Sequence, residues 1–172
     1  AIAAATMPGA TTDSVLGAVY DHCDPDMVIR ELDKQLKGTS GMRDIREMRS
    51  YFDGVYNGFG MPYPFSYANE VFTKGMCVFH MVKGSTKDAI LAGVNMGRDT
   101  DCVAAVAAGI TGALGGTATI PQRWIDQLEK ATRLNPHTNS RRTMVGHADG
   151  VYEAFKNRLK KEGDYVKLMD IE

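Results

Sequence analysis

The sequence predicts an all-α protein, a multi-helical bundle, on three observations. Segment after segment carries its apolar residues at helical spacing. Gly, Pro and cap residues punctuate those segments, and no stretch shows the apolar–polar alternation of a half-buried strand. The 172 residues suit one domain rather than two, so the expectation is a single helical domain or half-domain over 1–172. A hydrophobic content of 44% against 24% charged residues is enough to build a core.

The elements follow in chain order. Ala1 to Ala5 has helix-forming composition without a cap ahead of it, and reads as the last turns of a helix whose beginning is missing, closed by Thr6-Met7-Pro8-Gly9. Val15, Leu16, Val19, Tyr20 and Cys23 share one helical face, after Thr11, Thr12 and Asp13 as cap candidates. Asp24-Pro25 opens a second helix, with Val28, Ile29, Leu32 and Leu36 on one face and Gly38 to Gly41 as its break. Met42 to Phe52 predicts a further short helix. From Asp53 to Phe65 the glycines and prolines forbid a long regular element, and the aromatics either pin a loop over the core or line a flat ligand site.

Helical spacing returns from Ser66 to Val82 and stops at Gly84. Ser85-Thr86-Lys87-Asp88 has the form of a capping box with Asp for Glu, ahead of a helix through Ile90, Leu91 and Val94. Cys102 to Ile120 contains no charge and is long enough to span a bilayer, yet it is rich in Gly, Ala and Thr. Small residues at Ala105, Ala108, Gly109, Gly112 and Ala113 suit a buried central helix that others approach closely. Ile120-Pro121 begins a helix containing Trp124, residues 135–147 form a polar linker, and a last amphipathic helix runs from about Ala148 to Lys161.

Charge and cysteines exclude some function classes. A net charge of -1 argues against a nucleic-acid-binding surface or an anionic membrane as main partner. Cys23, Cys77 and Cys102 are odd in number and lack C-x-x-C spacing, which favours a reducing, cytoplasmic setting over a disulfide scaffold or zinc knuckle. His22, His80, His137 and His147 are scattered, and His80 lies among apolar neighbours as a core or rim residue.

Asp99-Thr100-Asp101 stands where a loop enters the small-residue helix. Two carboxylates at i and i+2 around a hydroxyl offer the hard oxygens that Mg²⁺, Mn²⁺ or Ca²⁺ requires. The same residues also suit plain helix capping. Spacing alone leaves both readings open.

The run Asn95-Met96-Gly97-Arg98-Asp99-Thr100-Asp101-Cys102, its Ala-rich continuation to Gly116 and Ile120-Pro121-Gln122-Arg123-Trp124 resemble the C-terminal signature of the ADP-ribosylglycohydrolase family. Ser66 to Gly84, with Glu70 near its start, and Lys87 to Asn95 resemble that family's preceding helices. The resemblance spans nearly the whole chain but only the second half of the family's domain. It implies an all-α fold with a binuclear Mg²⁺ or Mn²⁺ centre, and hydrolysis of N- or O-glycosidic bonds to ADP-ribose in a modified protein or a small molecule. Asp99 and Asp101 would be metal ligands, with Thr100 shaping the turn or lending an oxygen. Cys102 occupies a position usually held by a metal-shell Thr, and a thiol is a softer donor than Mg²⁺ prefers. Gly97 and Arg98 would face substrate; Arg98 replaces a frequent Gly, and either points to phosphate or is solvated. The loop from Tyr56 to Tyr67, with Tyr63 and Phe65, is a candidate for adenine or ribose contacts. The remaining metal ligands and the acidic catalytic residue would come from an N-terminal half or a second subunit. The alternative is a catalytically silent structural or ligand-binding relative, favoured by Cys102 and by the lack of a first metal motif.

Overall fold

The computed structural model describes residues 1–59, 67–137 and 142–169. Among them every regular element is helical, as the apolar spacing predicts. The chain forms two compact units, Ala1–Ile120 and Pro121–Glu172.

In the first unit, α1 (Ile2–Ala5) leads to α2 (Thr12–His22), which starts where the sequence places a cap. The Thr11 side chain accepts from the Ser14 amide while Ser14 reciprocates to the Thr11 amide, a full capping box. Asp24 caps a single π-helical turn at Pro25–Ile29, which runs directly into α3 (Arg30–Thr39). Gly38 is inside that helix rather than at its break. Next, α4 (Ile45–Val55) begins at an Asp44 cap and continues through Asp53 and Gly54. The expected loop thus starts later than its glycine content implies: buried Met48 and Phe52 hold the helical face, and packing overrides the weak preference of one glycine.

The Ser66 to Val82 expectation becomes α5 (Ala68–Val82), stopped by Lys83 in the left-handed conformation ahead of Gly84. At the start of α6 (Thr86–Val94) the Ser85 hydroxyl accepts from the Asp88 amide, and it also donates to the Asp88 carboxylate at 2.7 Å. The shorter Asp side chain meets the serine hydroxyl where a Glu of a capping box would return to the cap amide.

α7 (Thr100–Gly115) packs chiefly on α5 and α6. The close approach runs through Gly93, where a Cβ would come within 2.4 Å of the Ala104 Cα. It therefore uses Ala104 and Ala107, while Ala105 of the predicted small-residue set is exposed. The most enclosed helix is α5, buried continuously from Thr73 to Phe79. One apolar cluster joins Met48, Phe52, Tyr56, Cys77, Val78, Ala92, Met96 and Val103; a second joins Val15, Val19, Leu32, Met76, Phe79 and Ile110. α5 separates them, with Cys77 and Val78 in one and Met76 and Phe79 in the other. No described helix is long and apolar enough to cross a membrane.

The second unit holds α8 (Gln122–Leu134) and α9 (Met144–Leu168). The last helix begins earlier and ends later than the predicted Ala148 to Lys161, because Thr143 caps it and its charged C-terminal turns remain helical.

Candidate functional site

The loop ahead of α7 is anchored in three places. Met96 is fully buried in the core and fixes where the chain leaves α6. Gly97 and Arg98 then adopt φ of 78° and 60°, two successive left-handed residues that turn the chain toward α7. At Gly97 an added Cβ would lie 3.3 Å from the Asp53 carboxylate, so both φ and space call for glycine. At Arg98 the same conformation costs a side-chain-bearing residue about 1–2 kcal/mol, and its guanidinium supplies the compensation. Arg98 Nε lies 2.7 and 2.9 Å from the two carboxylate oxygens of Glu70 on α5.

Glu70 also accepts from Lys74 Nζ at 2.8 Å, and the side chains of Glu70 and Lys74 are each only 1% exposed. Lys74 stands over the rings of Tyr56 and Phe52 at 5.4 and 5.8 Å. Tyr56 stacks on Phe52 and donates to Glu31 Oε1 at 2.6 Å. Burial is the first cause, and the Glu31 carboxylate the next, that pushes the Tyr56 hydroxyl well above its usual range, so it remains a donor. The ion cluster is thus tied to α3 and α4 as well as to the loop.

Asp99 is the residue before α7, but its side chain forms no cap hydrogen bond. The turn is closed by backbone: the Thr100 amide donates to the Arg98 carbonyl at 2.9 Å, and the Val103 amide to the Asp99 carbonyl at 3.1 Å. Capping therefore does not occupy the Asp99 carboxylate. Ligand atoms of Asp99, Asp101 and Cys102 lie within 4.8 Å of one another, the first half-buried and the other two exposed. The side chain of Asp99 beside it is the main cause that raises the pKa of the Cys102 thiol. It is held as a neutral thiol, with Asp101 and a modest burial acting in the same direction.

The structure therefore brings Asp99, Thr100, Asp101 and Cys102 together at the first turn of α7, with Gly97 and Arg98 just before them. Arg98 is not the solvated side chain that was one of its two expectations, since its Nε is committed to Glu70. Tyr63 and Phe65 fall outside the described residues. Tyr56, at the start of the expected ligand loop, is a core residue with 4% exposure. Glu70 and Lys74 are the residues that sequence reading missed as part of this site. Their signal was an oppositely charged pair at i,i+4 among Val71, Phe72, Met76 and Phe79, where a charge survives only if paired.

The sequence model of the family described as ADP-ribosylglycohydrolase matches residues 1–159, which include every residue of this site. The ADP-ribosylarginine hydrolase Tri1 of Serratia proteamaculans (strain 568) is 46% identical over 48 residues, 28% of this chain. That stretch spans 13% of the relative's length. No solved structure matches the chain. On a match that covers nearly all of its length, the chain belongs to the ADP-ribosylglycohydrolase family.

Proposed function

We propose that this chain contributes the metal-binding motif of a metal-dependent hydrolase acting on ADP-ribosyl N- or O-glycosidic linkages. The observation that carries the reading is the Asp99–Asp101 pair: two carboxylates gathered at one helix start, not used for capping, in a chain of this family.

The donor set fits a hard divalent cation in part. Asp99 and Asp101 would hold Mg²⁺ or Mn²⁺, with Thr100 as a further oxygen donor. The neutral Cys102 thiol does not add a ligand that Mg²⁺ favours. Octahedral Mg²⁺ needs more oxygens than this motif offers, so water and ligands beyond it, from an N-terminal half or a second subunit, would complete a binuclear centre. When bound, the ion supplies Lewis-acid stabilisation of ribose oxygens and a more acidic water. The residues of this chain hold and aim the carboxylates, and Gly97 permits the left-handed turn that leads into them. The likeness to an ADP-ribosylarginine hydrolase makes ADP-ribosylated arginine the first substrate to try.

The test is release of ADP-ribose from ADP-ribosylarginine by the Mn²⁺-supplemented protein, alone and with a polypeptide carrying the family's N-terminal half. Release that Asp99→Asn and Asp101→Asn both abolish is the expected result. Full turnover in either variant would refute the assignment.

One observation favours a second reading, a catalytically silent relative: a thiol, a soft donor, stands at Cys102 within 4.8 Å of the carboxylate oxygens. On that reading the chain binds no stoichiometric metal and releases no ADP-ribose.

A further inference from the structure

We propose that Glu70, Lys74 and Arg98 form a positioning triad that fixes the Gly97–Asp101 segment in its ligand-presenting geometry. The inference rests on the metal-binding reading of Asp99 and Asp101 given above.

Three facts carry it. The first is burial. Glu70 and Lys74 are enclosed, and Arg98 is only 18% exposed, so the Glu70 carboxylate binds two cations inside the fold. Such a group is stable only while its geometry is held, since each ion has been taken from water. The second is backbone. Arg98 has φ of 60°, a conformation that a side-chain-bearing residue keeps only where its surroundings over-determine it. The contact of its Nε with both Glu70 oxygens is the constraint that does so. The third is connectivity. Glu70 is set by Lys74, Lys74 lies over Tyr56 and Phe52, and the Tyr56 hydroxyl is bound to Glu31. Helices α3, α4 and α5 together therefore determine where Arg98 sits.

Asp99 is the next residue, and the Thr100 amide closes onto the Arg98 carbonyl. A shift of Arg98 thus moves the first carboxylate directly and the second through one turn of backbone. Metal sites tolerate displacements of only about 0.5 Å before affinity falls, so an anchor one residue from a ligand is placed where it matters. The triad acts on the carboxylates through the loop.

Arg98→Gly separates anchoring from backbone strain, because glycine accepts the left-handed conformation without the side chain. Arg98→Lys keeps a cation but loses the planar fork, and covers the case in which glycine loosens the whole fold. The measurements are amide hydrogen exchange of the metal-free full chain at Thr100 and Val103, and Mn²⁺ affinity by calorimetry. In both variants we expect exchange at these two amides to rise at least about tenfold, with the α2 amides unchanged, and Mn²⁺ affinity to fall about tenfold. Guanidinium added at millimolar concentration should restore part of the affinity in Arg98→Gly. Unchanged exchange at Thr100 and Val103 in both variants would overturn the triad. A wild-type chain that binds no Mn²⁺ even with the family's N-terminal half supplied would instead overturn the metal-binding reading, leaving the exchange result to decide the anchor by itself.

Discussion

Glu70 holds Arg98 and Lys74 at once, with its carboxylate 2.7 Å from the Nε of the first and 2.8 Å from the Nζ of the second. The arrangement is asymmetric, and its asymmetry is testable. Removing Lys74 leaves Glu70 paired with Arg98, whereas removing Glu70 takes the shared carboxylate from both cations. Glu70→Gln should therefore cost about 3–5 kcal/mol of unfolding free energy. Lys74→Met should cost less, about 1–3 kcal/mol, the worth of a charge-assisted hydrogen bond. Urea unfolding of the two variants checks the order, and equal losses would contradict it.

The contact of α6 with α7 leaves no space at Gly93. An alanine there would press its Cβ to within 2.4 Å of the Ala104 Cα and 2.8 Å of its amide nitrogen, both backbone atoms that cannot swing aside. Gly93→Ala should destabilise the fold by about 1–3 kcal/mol through overpacking, despite alanine's better helix propensity. A thermal melt no lower than wild type would show that the helices separate easily.

Acid should weaken the start of α4 through one carboxylate. Asp44 accepts from the amides of Glu47 and Arg46, and these bonds hold its pKa below the ordinary 3.8. A depressed carboxylate contributes stability that is complete above its unfolded value and is lost as pH falls through the folded one. Asp44→Asn keeps a capping oxygen without the titration. Its stability should match wild type near neutrality and fall less steeply below pH 3.8. Parallel acid profiles for the two proteins would sink this account of the cap.

The cysteines should separate by reactivity. Burial pushes the Cys77 thiol up to about 12, and Thr39 only partly offsets that. A thiol whose folded pKa is raised stabilises the fold fully below its unfolded value of 9.0, and that contribution declines as pH rises toward 12. At pH 8, alkylation followed by peptide mass spectrometry should modify exposed Cys102 well before Cys77, which should react only as the chain unfolds. Modification of Cys77 at the Cys102 rate in native protein would mean that α5 opens locally.

Much of this fold is legible because helix boundaries are written in local chemistry. Thr11, Asp24 and Ser85 stand at helix starts read from the sequence and are caps in the structure. Where reading by residue type failed, a tertiary contact had decided the matter. Gly54 looks like a loop residue, but buried Phe52 keeps its segment helical. Tyr56 looks like a ligand-loop aromatic, but its ring stacks on Phe52 and its hydroxyl reaches a glutamate 25 positions away. In the candidate site, Asp99 and Asp101 are visible from spacing and family resemblance together. The commitment of Arg98 to Glu70 is not, because it joins residues 28 apart whose pairing depends on how α5 and the loop pack.

The most direct test of the account is calorimetric titration with Mn²⁺ of the metal-free chain combined with a polypeptide carrying the family's N-terminal half, beside its Asp99→Asn and Asp101→Asn variants, with unfolding curves recorded for all three. The account predicts saturable binding by the wild type and loss of that binding in both variants, without loss of fold. Saturable binding that survives in both variants, or its absence from a folded wild type supplied with the N-terminal half, would contradict the claim that these carboxylates are the chain's contribution to a metal centre.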